Sequence, residues 1–284
     1  MEHIQPFLNA LTNPLVIGIL ILACLVYVVT LMLRKKKEGN SEDWKIYKNK
    51  SSDLSTEQYK KIAIAAIYSQ QQEAYINSLN TGLSKERINV ILGDWWQIHN
   101  PEEAMKKLNY LRDKGFGFYF PTVYKAFLTD DEQEKEKIII DGIVPKKQGT
   151  SEEERAVIEE DLEKAYSQQN NLKAAYNDLL KTKYITGKED LKKYGVIGWD
   201  CGRLNFVARL CYDAGYISEE QAWTFIDQAY EKAQKTFHSW QELAASYVIG
   251  RAVWAGQEDD NFWIAHYADM LLEDPKSPWK EIAW

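Results

Sequence analysis

The stretch SWQELAASYVIGRAVW, Ser239 to Trp254, decides the fold. At about 100° per residue, Trp240, Leu243, Ala244, Tyr247, Arg251 and Trp254 share one face of a helix. Ala245, Ile249, Ala252 and Val253 make the other side apolar as well. A helix apolar all round belongs in the centre of a bundle. Ser239 with Glu242 supplies a capping pattern at its start. Arg251 is then a charge on a buried face, and an unpaired buried charge is very costly. It requires an acid or an aromatic ring.

The neighbouring segments supply candidates. WDCGRLNFVARLCYDA, Trp199 to Ala214, reads as a helix closed by Gly215. Leu204, Val207, Cys211 and Ala214 share a face with Asp200 and Arg203, while Arg209 points the opposite way. Asp200 is the expected partner of Arg251, with Arg203 completing the charged cluster. The candidate site is therefore Trp199, Asp200, Arg203, Trp240, Tyr247, Arg251 and Trp254. Three readings stay open: an internal ion cluster that fixes helix register, the base of a ligand pocket, or, for Arg251, a charge that snorkels to water. Between these helices, Ser218 and Gln221 form a capping box. They open a helix whose inner side carries Ala222, Phe225, Ile226, Ala229, Ala233 and Phe237.

Further upstream the same signals recur. Ser55 with Gln58 caps a helical run, Asn100 with Pro101 opens another to Lys114, and Ser151 with Glu154 opens a long polar one, roughly Glu152 to Lys181. No run alternates as a half-buried sheet does. GFGFYF, Gly115 to Phe120, is the best candidate for an extended piece. The expected fold is all-α. Residues 55–128 form an N-terminal helical part, 129–150 a charged linker or insert, 151–182 the long polar helix, and 183–284 a Trp-rich helical domain. The 129–150 stretch is dense in charge and carries Gly142, Pro145 and Gly149, which predicts mobility.

The N-terminus has another texture. Leu15 to Leu33, LVIGILILACLVYVVTLML, contains no charge. As a helix it would span roughly 28 Å, close to the hydrocarbon thickness of a bilayer. It predicts a single transmembrane helix. Residues 1–14 hold no Lys or Arg, whereas Arg34 to Lys37 read RKKK at the start of a basic tether over 34–54. The positive-inside rule places the short tail outside and the rest in the cytoplasm, the arrangement of a single-pass inner-membrane protein. A rival reading takes ILAC, Ile21 to Cys24, as a lipoprotein cleavage box. The apolar run continues past Cys24 and no basic start precedes it, which favours the span.

Composition limits the function classes. The net charge of -7 over 284 residues argues against nucleic acid, because phosphate binding needs a basic face. Cys24, Cys201 and Cys211 form no CxxC pair and no disulfide framework, which fits a reducing compartment. There is no P-loop, GxSxG or HExxH. His3, His99, His238 and His266 are too scattered for a metal site. No cofactor and no catalytic residue is read from the chain. The acidic run Glu258, Asp259, Asp260 is read as a polar loop rather than a cation site.

The motifs also carry a resemblance. GWDCGRLNFVARLCYDAGYISEEQAW, FHSWQELAASYVIGRAVWAG, the ending SPWKEIAW, and GDWWQIHNPEEAMKKLNYL together resemble the bacterial domain of unknown function 1266 family, over about Leu83 to Trp284. The matching units are Trp199, Asp200 and Arg203; Ser239 and Trp240; Tyr247, Gly250 and Arg251; and Ser277, Pro278 and Trp279. DKGFGF stands where the family would have a glycine-histidine pair, so no histidine role carries over there. The resemblance implies a domain and supplies no reaction. The expected function is a membrane-tethered cytoplasmic module that binds a protein, with a small-ligand site on Asp200, Arg203 and Arg251 as the alternative.

Overall fold

The computed structural model describes residues 44–145, 151–258 and 260–284. From Ile46 to Trp284 the chain forms one compact unit. The expected span Leu15–Leu33 lies outside the described residues. Among the described residues no helix is long and apolar enough to cross a membrane, and there is no strand.

This unit is a succession of helices. It opens with α1 (Thr56–Ile62), a 3-10 turn (Ala63–Ala65), α2 (Ala66–Gln71) and α3 (Lys85–Asn89), which runs into a π turn (Val90–Trp95). Then come α4 (Pro101–Asp113), α5 (Phe120–Phe127), α6 (Glu132–Ile143) and α7 (Glu152–Lys181). The C-terminal part holds α8 (Lys188–Tyr194), α9 (Ile197–Asp213), α10 (Glu219–Thr236), α11 (Trp240–Ala255), α12 (Asp260–Glu273) and α13 (Pro278–Glu281).

The starts of these helices are where the capping residues put them. Ser55, Ser151 and Ser218 each close a capping box, satisfying two backbone N–H groups that a helix start leaves open. Asn100 accepts from the Glu103 amide, with Pro101 in the first turn. Ser239 accepts from the Glu242 amide.

The core is built on α9 and α11. Every residue from Gly198 to Cys211 is buried, and so is every residue from Leu243 to Val253. Helix α9 packs on α4, α10 and α11, and α11 packs on α7, α8 and α12. The two central helices touch backbone to backbone. The Gly198 amide donates to Ser246 Oγ at 2.9 Å. A Cβ on Gly198 would sit 2.6 Å from the Leu243 carbonyl oxygen, and one on Gly250 would sit 2.2 Å from Trp199 Cβ. Only glycine permits this approach.

The N-terminal helices are seated by side chains from far along the chain. Ile62, Ile64 and Ile67 are at most 1% exposed. The Ala63 carbonyl accepts from Trp279 Nε1 at 2.9 Å, across 216 positions of sequence. The Lys61 carbonyl accepts from Asn205 Nδ2.

Two expectations need correcting. The charged 129–150 stretch, expected as a mobile linker or insert, contains the helix α6, packed on α5 and α7. Lys135, Ile139 and Ile143 recur every fourth residue and are buried. Gly142, read as a breaker, instead lets α6 approach Thr122, which a Cβ would strike. Residues 146–150 lie outside the described residues. GFGFYF is not extended: it is a run of turns with Gly115 at φ +55°, leading into α5 at Phe120.

Candidate functional site

Asp200 stands in the first turn of α9 and is 1% exposed. Its two oxygens take three donors. The Phe116 amide reaches Oδ1 at 2.9 Å, the Gly117 amide reaches Oδ2 at 2.7 Å, and Arg203 Nη2 reaches Oδ1 at 2.5 Å. The carboxylate thereby holds the turn after α4 onto α9. The left-handed Gly115 lies so close that a Cβ there would sit 2.6 Å from Oδ2. Arg203 follows one turn later, within the ordinary reach of an i,i+3 pair. Aromatic rings wall its guanidinium: Phe116 at 4.7 Å, Trp199 at 4.9 Å and Trp96 at 5.9 Å.

The expected pair of Asp200 with Arg251 is not formed. Arg251 Nη2 lies 3.3 Å from Glu258 Oε2, and its guanidinium sits 4.7 Å from the Trp254 ring. The helical wheel placed both residues on inner faces but could not give their heights along crossing helices. Asp200 is committed to the turn after α4, while Arg251 lies near the end of α11 and is answered by the loop that follows. Trp254 is half exposed.

Trp199 links these groups. Its ring lies 4.9 Å from Tyr247, 6.3 Å from Trp254 and 6.5 Å from Tyr68. Tyr68 accepts from Trp96 Nε1 at 3.1 Å. Burial pushes the Tyr247 phenol well up, and the positive charges of Arg251 and Arg203 pull it partly back. Trp199 Nε1, Arg203 Nε and Tyr247 Oη are buried with no hydrogen-bond partner among the described residues.

Trp240 does not belong with them. It stacks on Trp279 at 5.6 Å, meets Trp284 edge-on at 4.7 Å, and donates to the Ile282 carbonyl at 2.8 Å. That indole cluster pins the C-terminal segment. Of the seven candidate residues, the structure thus gathers Trp199, Asp200, Arg203, Tyr247, Arg251 and Trp254 around one centre. Trp96, Phe116, Tyr68 and Glu258 were not foreseen there. The WW pair at Trp95 and Trp96 was the one visible signal.

Arg209 needs a further correction. Expected to point away from the buried arc, it is fully buried. Its Nε donates to the Leu79 carbonyl at 3.1 Å, Nη1 to Ser69 Oγ at 2.8 Å, and Nη2 to the Tyr75 carbonyl at 2.5 Å. Asp213, one turn on, accepts from the Thr81 amide and hydroxyl and from Asn80 Nδ2. A central helix has no outward face. Its second arc meets the irregular 72–84 segment, whose buried carbonyls need donors. Desolvation pushes the Arg209 guanidinium down to about 10, and Asp213 counters it. Cys201 and Cys211 are buried free thiols, each pushed up by burial to about 12, which keeps them out of thiolate chemistry. Among the described residues no group of His, Cys, Asp and Glu could hold a metal.

The fold and the cluster define a class: an all-helical domain with buried arginines beside indole and phenyl rings and, among the described residues, no group that could hold a metal. The chain belongs to the family described as Protein of unknown function (DUF1266), whose sequence profile matches residues 91–284. It is 28% identical over 67 residues to the uncharacterized protein YbeR of Escherichia coli (strain K12), covering 24% of this chain and 28% of that protein. It is 29% identical over 68 residues to YbeU of the same organism, covering 24% and 29%. The matches span less than a third of either relative. No solved structure matches the chain.

Proposed function

We propose that this protein is a helical docking module, tethered at the cytoplasmic face of a membrane by Leu15–Leu33, with no reaction of its own. The observation that carries this reading is the use made of Asp200 and Arg203. Both are spent internally, on each other and on the turn after α4, inside walls of Trp96, Phe116 and Trp199. Groups so committed brace a fold rather than meet a substrate. The surface presents aromatic rings instead. Trp254, near the end of α11, is 50% exposed, and Phe262, near the start of α12, is 66% exposed. Aromatic anchors of this kind dominate protein interfaces. The basic residues after Leu33 and their absence before Leu15 support the orientation.

The test is photo-crosslinking in cells, with the photoreactive residue at position 262 or, as a control, at Lys235 on α10. A defined adduct at 262, weakened by Trp254→Ala and missing at 235, is the expected result. Equal adducts at both positions, or none, would refute docking. Parallel reporter fusions at Trp284 test the tether. Activity from a periplasm-active reporter alone would overturn the orientation and restore the lipoprotein reading.

A second reading, a small-ligand receptor, draws on the buried polar atoms without partners at Trp199, Arg203 and Tyr247. An acceptor-rich ligand would satisfy them. Trp199→Phe keeps an aromatic ring, though a smaller one, and deletes the N–H. Loss of cellular function in that variant, with crosslinking and melting intact, would favour the receptor.

A further inference from the structure

Helices α4 and α7 face each other across a cleft of about 530 Å³. Glu103, Lys106, Lys107 and Tyr110 line it from α4, and Val157, Glu160, Asp161 and Lys164 line it from α7. Both sets follow the i, i+3, i+4, i+7 spacing of a single helix face. Two facing stripes of that spacing would ordinarily be apolar and closed on each other. Here they are mostly charged and stand apart.

The charges are not evenly matched. Asp161 accepts from Lys114 Nζ at 2.6 Å and from the Tyr119 hydroxyl at 2.7 Å. Glu160 takes Lys164 at 2.6 Å. Glu103 accepts from the His99 amide at 2.7 Å. Each acid in the cleft therefore has a partner. Lys107 is half-buried on the cleft wall and forms no ion pair among the described residues. Desolvation pushes its ammonium below the ordinary lysine range, and Lys164, Lys106 and Arg203 add repulsion that Glu160 only partly offsets. A cation so placed lowers its energy by acquiring a counter-ion. Beside it the cleft offers apolar surface, the Tyr110 ring with Lys164 Nζ 4.7 Å from its centre, and Val157 at 50% exposure.

We infer that this cleft binds a small phosphorylated molecule, its phosphoryl oxygens on Lys107 and its carbon skeleton against Tyr110 and Val157. The volume admits a metabolite-sized ligand, and the phosphoryl group by itself makes the contact to Lys107. Compact ammonium groups are suited to phosphoryl oxygens as point charges. The site lies on α4 and α7 and stands whether or not the chain docks a partner. Two sources share this chemistry, a soluble phosphate compound and an anionic lipid headgroup.

The test uses the full chain in detergent at low salt, with pyrophosphate as the soluble probe. Saturable one-to-one binding by titration calorimetry is expected. Lys107→Met and Lys107→Gln should each weaken it about tenfold or more, the loss of one charge-assisted contact. Lys235→Met, on α10 and not among the residues lining the cleft, should not. In the wild-type chain pyrophosphate should also slow acetylation of Lys107, read by peptide mass spectrometry. The second arm uses vesicles of phosphatidylglycerol against vesicles of phosphatidylcholine. Lys107-dependent binding to the anionic vesicles alone assigns the site to a headgroup, and binding to pyrophosphate assigns it to a soluble ligand. Binding in neither arm, or binding unchanged in both Lys107 variants, overturns the inference.

Discussion

Replacing Arg209 by methionine tests the claim that α9 is a central helix with no free face. Methionine keeps much of the volume and removes the guanidinium. Ser69 Oγ and the carbonyls of Leu79 and Tyr75 then lose donors now at 2.5 to 3.1 Å. Each buried acceptor left without a donor costs about 1–3 kcal/mol, or roughly 3–9 kcal/mol for the three. Removing the charge gives part of this back. The fall of its pKa from 12.5 to about 10 reflects a burial penalty of roughly 3 kcal/mol on the charged form. The difference leaves about 0–6 kcal/mol, centred on a net loss of about 3 kcal/mol. At roughly 2–4 °C per kcal/mol for a domain of this size, the midpoint should fall by about 6–12 °C. Near-UV circular dichroism of the full chain in detergent reads it, because every tryptophan except Trp44 lies after Lys45. Arg112→Met is the control. Its guanidinium pairs with the exposed Asp113 beside it, and such surface pairs are worth about 0–1 kcal/mol. If Arg209→Met melts within about 2 °C of wild type, the arginine is not holding the 72–84 segment and this account of α9 fails.

Other outcomes follow from single contacts. Gly250→Ala should destabilise by about 1–3 kcal/mol in urea, since its Cβ would meet Trp199 Cβ at 2.2 Å, whereas Gly187→Ala has nothing within 4 Å and should be near neutral. The Asp190 carboxyl is held below its usual range first by the Thr186 amide and then by the Thr186 hydroxyl. Its contribution is complete above the unfolded value and is lost as pH falls through the lower folded one. The melting gap between wild type and Asp190→Asn should thus be widest near neutrality and narrow as pH falls below the ordinary aspartate value of about 3.9. Cys201 and Cys211 should resist a thiol reagent in the native chain and react after urea unfolding; labelling of either one in the folded state would contradict its burial.

What could be read beforehand was whatever is local. Ser55, Asn100, Ser151, Ser218 and Ser239 announced their helices because a cap needs only residues three or four positions apart. The burial of α11 was legible because both its arcs are apolar. Partnership across elements was not. Arg251 finds Glu258 rather than Asp200 because pairing depends on where along their lengths two helices cross, and no wheel contains that height. Arg209 was misread for a related reason: a face opposite one core can itself meet another buried layer. The 129–150 stretch was misread because its charges outnumber Ile139 and Ile143, although three buried positions at helical spacing suffice to dock α6.

The bond from Trp279 to the Ala63 carbonyl also sets a clock on biosynthesis. A ribosome adding about 5–20 residues per second needs roughly 10–40 s to travel from one to the other. Through that interval the segment around Ile62, Ile64 and Ile67 has emerged without the indole that covers its backbone. An oily stretch left waiting so long is a natural client for a holdase. A stop codon only a few positions early would make the wait permanent.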